Sequence, residues 1–115
     1  LLGWWIRRRV QVNRLVNRLD GATAQYHAAH DAAAYLSELD GCLFMPGVER
    51  AALAGMPATD YLTILKIRTL RETGRIEDSR ALLEAARPGM THPGARQLLG
   101  AEEALLPGSQ LKTTP

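Results

Sequence analysis

Sulfur and aromatic chemistry are nearly absent from this 115-residue chain. Cys42 is its only cysteine, which excludes an internal disulfide and a cysteine-ligated zinc site. Aromatic content is 5%, with one Phe, two Trp and three Tyr. Val and Ile are also thin, and strands draw on β-branched and aromatic side chains, so a sheet protein is disfavoured. The uncharged stretch that opens the chain, residues 1–6, falls far short of the roughly 20 apolar residues that cross a bilayer. The glycines are scattered through turns, with no Gly-Lys-Ser/Thr ending, so no phosphate loop is present.

Ala and Leu are plentiful instead, and both favour helix. Hydrophobic residues make up 46% and charged residues 23%, too apolar for a disordered chain. At 12.6 kDa there is room for one small domain, or for a short arm and a half-sized one. The expectation is an all-α protein: a long or kinked N-terminal helix followed by a small helical bundle of antiparallel pairs.

Charge is unevenly placed. The net charge is +2, yet residues 1–20 hold Arg7, Arg8, Arg9, Arg14 and Arg18 against Asp20 alone, and the remainder holds nine basic residues against eleven acidic. A nucleic-acid domain spreads its basic residues over a folded face. The mildly acidic body here argues against nucleic acid as a partner. Trp4 and Trp5 followed by Arg7, Arg8 and Arg9 match the flank of a membrane helix, where aromatics sit at the interface and basic residues lie on the cytoplasmic side. Residues 1–20 are therefore expected to be a basic, membrane-proximal arm. Residues 21–106 form the helical module, and residues 107–115 a flexible polar tail.

Apolar residues recur at alternating steps of three and four through Val12, Leu15, Leu19, Ala22, Tyr26, Ala29, Ala33 and Leu36, which places them along one helical seam. The pattern predicts either one helix over residues 4–39 or two helices broken near Asp20-Gly21, with Asp40-Gly41 as the stop. Residues 48–54 then fit a short helix after Pro46-Gly47. Further helices are expected from Thr59 or Asp60 to Thr73-Gly74, over residues 76–86, and over residues 93–106, punctuated by Arg87-Pro88-Gly89 and Pro107-Gly108.

The two helices within residues 60–87 are joined by a tight turn at Gly74, and two helices alone cannot bury both of their apolar stripes. The run from Leu70 to Ala86 resembles a tetratricopeptide repeat. Gly74 takes the turn, Ser79, Leu83 and Ala86 take the small–large–small positions of the second helix, and Leu70 stands where the first helix prefers an aromatic. Thr63 replaces the preferred Trp, Lys66-Ile67 replaces Leu-Gly, and the closing Pro arrives late as Pro93. Leu99-Gly100 looks like the Leu-Gly pair of a following helix. The resemblance covers residues 60–106 and implies a protein-binding or scaffold role. The layout, from Gly3-Trp4-Trp5-Ile6-Arg7-Arg8 into helices, is similar to membrane-anchored repeat proteins of bacterial envelope assembly.

Sites of chemistry are poor. His27, His30 and Asp31 share a helical patch, but no third or fourth ligand accompanies them and His92 is remote, so a solvated face is expected. No nucleophile is tied to them. Cys42 has no basic neighbour in sequence and reads as a buried filler. Glu77-Asp78 and Glu102-Glu103 are expected near helix starts or on solvent faces. Arg68, Arg71, Arg75 and Arg80 gather around the hairpin turn as a possible partner-facing patch. No catalytic residue, cofactor, metal or small-molecule substrate is inferred. The functional expectation is a non-enzymatic interaction or scaffold module at the cytoplasmic face of a bacterial inner membrane, within an envelope assembly or secretion complex. Its partners would be another protein or a second copy, together with an anionic membrane surface. The alternatives are a soluble regulator that binds nucleic acid through its N-terminal arginines, or a subunit of an enzyme complex.

Overall fold

The computed structural model describes residues 2–107, apart from the side chains at positions 2, 4, 5, 8 and 10–12. The expected tail beyond Pro107 lies outside the described residues. The chain is all-α: α1 (Leu2–Ala29), α2 (Ala32–Leu43), α3 (Ala58–Glu72), α4 (Ile76–Ala86) and α5 (Pro93–Leu105), with one hairpin of two short strands, β1 (Ala52–Leu53) and β2 (Met56–Pro57). It divides into two compact units, one ending at Leu62 and the other beginning at Thr63.

In the first unit α1 runs without interruption through Asp20-Gly21, so neither expected layout of the first helix holds. A glycine inside a helix costs only about 1 kcal/mol. Buried Leu15 and Leu19 before it, and Tyr26 after it, are all in contact with or covered by neighbouring structure. The break falls instead at His30, in the left-handed region at φ 55°. Its N–H donates to Tyr26 O at 2.7 Å, closing α1. Asp31 then caps α2, its Oδ1 accepting the Ala34 N–H at 3.1 Å. A short polar side chain at this position satisfies a backbone donor that the helix cannot.

α2 returns antiparallel to α1. Tyr35 meets Thr23 through its hydroxyl at 3.0 Å and stacks on Tyr26, with ring centroids 4.6 Å apart and planes within 2°. Farther along α2, Glu38 meets Arg18, so the partners step backward along α1. Gly41 lies inside α2 and does not stop it; the helix continues to Leu43. The helix expected over residues 48–54 is also absent. A single 3-10 turn, Val48–Arg50, leads into the β1–β2 hairpin, which pairs Leu53 with Met56 and Ala52 with Pro57. Ala54 and Gly55 turn the hairpin at φ 54° and 78°, the two positive angles of a type I′ turn. Alanine is a poor signal for such a turn, which is why the segment resembles a helix in sequence. Leu39, Cys42, Val48, Leu53, Met56, Ala58 and Leu62 are buried in this unit.

The second unit follows the expected pattern closely. α3 ends in a Schellman motif: Gly74 at φ 83° donates to Arg71 O at 3.1 Å, and Arg75 donates to Leu70 O at 2.9 Å. Only a residue tolerant of positive φ closes a helix this way. α4 then turns back until the Ser79 hydroxyl donates to Ile67 O at 2.8 Å. A 3-10 turn, Arg87–Gly89, closes α4. α5 opens on Pro93 at its first position, with His92 Nδ1 accepting the Gly94 N–H at 3.1 Å. Ile64, Ile67, Leu70, Leu83, Met90, Ala95, Leu99 and Leu106 are buried here.

Candidate interaction surfaces

The antiparallel register of α1 and α2 decides what the first helix can touch. Arg18 lies beside Glu38 and over Gly41, near the end of α2. The residues of α1 before Leu15 therefore extend past the end of α2 by about 20 Å, at 1.5 Å per residue. Every described side chain in that stretch is exposed: Ile6, Arg7, Arg9, Asn13 and Arg14. Trp4, Trp5 and Arg8, expected to set membrane depth and charge, lie outside the described side chains. No helix among the described residues is long and apolar enough to cross a membrane.

The residues of the expected packing seam differ in burial. Leu15 and Leu19 are buried, Ala22, Tyr26 and Leu36 are half-buried, but Ala29 and Ala33 are exposed. The turn at His30 takes these two alanines out of the helix pairing, because a three–four repeat remains on one face only while the helix is continuous.

Leu70, Ser79 and Leu83 are buried, Ala86 is half-buried, and Gly74 makes the exposed turn. Ser79 is fully buried. A larger side chain there would separate α4 from the carbonyl of Ile67.

The arginines around the turn have intramolecular partners. Arg68 Nε and Arg71 Nε donate to the two carboxylate oxygens of Glu102 at 2.8 and 3.1 Å. Arg75 pairs with Asp78 at 2.8 Å. Arg80 donates to Pro107 O and lies 3.9 Å from Glu77. Glu102 is 3% exposed, so its expected place on a solvent face is corrected. It belongs to the core stripe of α5 with Ala95, Leu99 and Leu106, at steps of four, three and four. That spacing, set against two arginines three apart on α3, was the available signal. Two guanidiniums on one carboxylate make an ion pair that ties α5 to α3. Arg87 likewise bridges Glu84 and Glu103, and its bonds to these two carboxylates raise its pKa further.

His27 and His30 are exposed, and the Asp31 carboxylate is engaged as the cap of α2. Among the described residues no group of three His, Cys, Asp or Glu side chains is placed to hold a metal ion. Cys42 is fully buried, and burial pushes its thiol up from its ordinary pKa, with Arg18 pulling partly the other way. Such a thiol is a weak nucleophile at neutral pH. Comparison with protein-family models, curated proteins and solved structures finds no match to this chain.

Proposed function

We propose that this chain is a non-enzymatic protein-interaction module held against an anionic membrane surface by the basic N-terminal part of α1. The observation that carries the reading is the stretch of α1 before Leu15, which runs past the end of α2 with Arg7, Arg9 and Arg14 exposed. A basic segment near an anionic surface gains about 1 kcal/mol per arginine. Trp4 and Trp5 precede these arginines in sequence, in the order typical of a cytoplasmic membrane flank. This supports a place at the cytoplasmic face of a bacterial inner membrane. The turn and packing of α3 and α4 support the tetratricopeptide-like reading of the second unit, and with it a scaffold role toward another protein. Ser79 and Leu83 are buried and Gly74 makes the turn at positive φ.

The test is co-sedimentation with vesicles of phosphatidylglycerol and phosphatidylcholine. The chain is expected to bind these vesicles and to release them as salt is raised. Replacing Arg7, Arg8 and Arg9 together with Gln should weaken binding on the order of a hundredfold, from about 1 kcal/mol per arginine. Equal binding by the triple variant, or no binding by the parent chain, overturns the reading. Steeply salt-dependent binding to DNA or RNA in place of vesicles would favour the regulator alternative.

A further inference from the structure

We propose that Phe44 inserts into the headgroup region of the same anionic bilayer, as a second contact beside the basic part of α1. The inference rests on the membrane-surface reading above and adds a residue to it. Phe44 is the chain's single phenylalanine and is 87% exposed, more than Ile6 or Leu105. The backbone that carries it is held by hydrogen bonds. The Phe44 N–H caps α2 by donating to Asp40 O and Gly41 O, both at 3.2 Å. Met45 N–H donates to Cys42 O at 3.2 Å, and Val48 N–H to Met45 O at 3.2 Å. Cys42 and Val48, on either side, are buried. The turn that carries the ring is thus anchored at both ends.

The register of the hairpin places this ring. Because Arg18 sits beside Glu38 and over Gly41, the end of α2 lies alongside the part of α1 just before Arg18. The stretch bearing Arg7, Arg9 and Arg14 leaves from that same end. An exposed apolar ring at the same end of the hairpin as a cationic helix stretch suits a lipid interface, where the ring enters the acyl boundary while guanidiniums meet phosphates. Charge complementarity therefore selects an anionic lipid surface as the occupant.

The experiment titrates vesicles of phosphatidylglycerol and phosphatidylcholine, and of phosphatidylcholine alone, with the full chain and with Phe44→Ser and Phe44→Trp. Phe44→Ser is expected to bind the anionic vesicles about tenfold more weakly, from the partial loss of one buried aromatic. Phe44→Trp should bind at least as tightly as the parent. Both variants should melt like the parent, since the ring touches little of the folded chain. Undiminished binding by Phe44→Ser overturns the inference while leaving the arginine reading standing. No binding by the parent chain overturns the arginine reading, and this inference with it. A change in sedimenting mass of the free chain on Phe44→Ser, with vesicle binding unaltered, assigns the ring to a contact between copies and also overturns it.

Discussion

The guanidinium of Arg18 lies in the space that a side chain at Gly41 would fill, and from there it reaches Glu38 across the α1–α2 hairpin. A helical glycine thereby becomes a seat for a cation. The ion pair itself is half exposed, and pairs of that kind contribute about 0.2–1 kcal/mol.

Two glycines in helices should therefore answer differently to the same change. Gly21 has nothing near its missing Cβ, so Gly21→Ala should stabilise the chain by about 0.5–1 kcal/mol. Gly41→Ala gains the same propensity but displaces Arg18, and its net effect should be close to zero. In an Arg18→Ala background the Gly41→Ala change should recover the full gain. Denaturant midpoints for the four-variant cycle measure this coupling.

Ala54 carries a positive φ that only the hairpin turn demands. Ala54→Asn should make the favoured Asn-Gly turn and stabilise the hairpin by about 1 kcal/mol, the cost of holding alanine in the left-handed region. Ala54→Val should destabilise by at least as much. Thermal melts followed by circular dichroism distinguish the two directions.

Removing either side of the Glu102 ion pair should have unequal consequences. Glu102→Met leaves two guanidiniums that are partly exposed and can turn to water, at a cost of about 1 kcal/mol or less. Replacing Arg68 and Arg71 together with Ala strands a buried carboxylate and should cost about 3–5 kcal/mol. Equal losses in urea unfolding would show that the charge of Glu102 is solvated after all.

Cys42 predicts a dependence on alkaline pH. Its thiol pKa is raised in the folded chain, chiefly by burial, above the unfolded value of about 8.5. The neutral thiol thus contributes stability that is complete below the unfolded pKa and is lost as pH rises through the folded one. Cys42→Ala should lack this fall, so the stability difference between parent and variant should change with pH in that window. An identical pH profile for both would contradict the burial of the thiol.

The second unit was legible because its punctuation is unambiguous. Gly74, Pro93 and Arg87-Pro88-Gly89 end and begin helices through local backbone chemistry, and α4 spans the expected residues 76–86. The first unit was harder because its breaks depend on contacts between helices. Gly21 reads as the weak point of α1, yet the helix runs through it, the penalty being only about 1 kcal/mol. His30 gave no sign of adopting positive φ, a conformation decided by how α2 caps on Asp31 and folds back through Tyr35. Glu102 hid among its acidic neighbours because charge suggests solvent, whereas its spacing with Leu99 and Leu106 puts it in the core. Phe44 gives no sign of its exposure in the sequence, since composition does not reveal the turn that follows α2.

The division at Leu62 has an optical consequence. All six Trp, Tyr and Phe residues lie at or before Tyr61, so the unit from Thr63 onward contains no ultraviolet chromophore of that kind. Tryptophan emission and near-ultraviolet dichroism will watch the first unit alone, with the parallel Tyr26 and Tyr35 rings as a built-in reporter. The α3–α4 turn and the Glu102 clamp contain no such chromophore, and amide hydrogen exchange is the probe that reads their loosening directly.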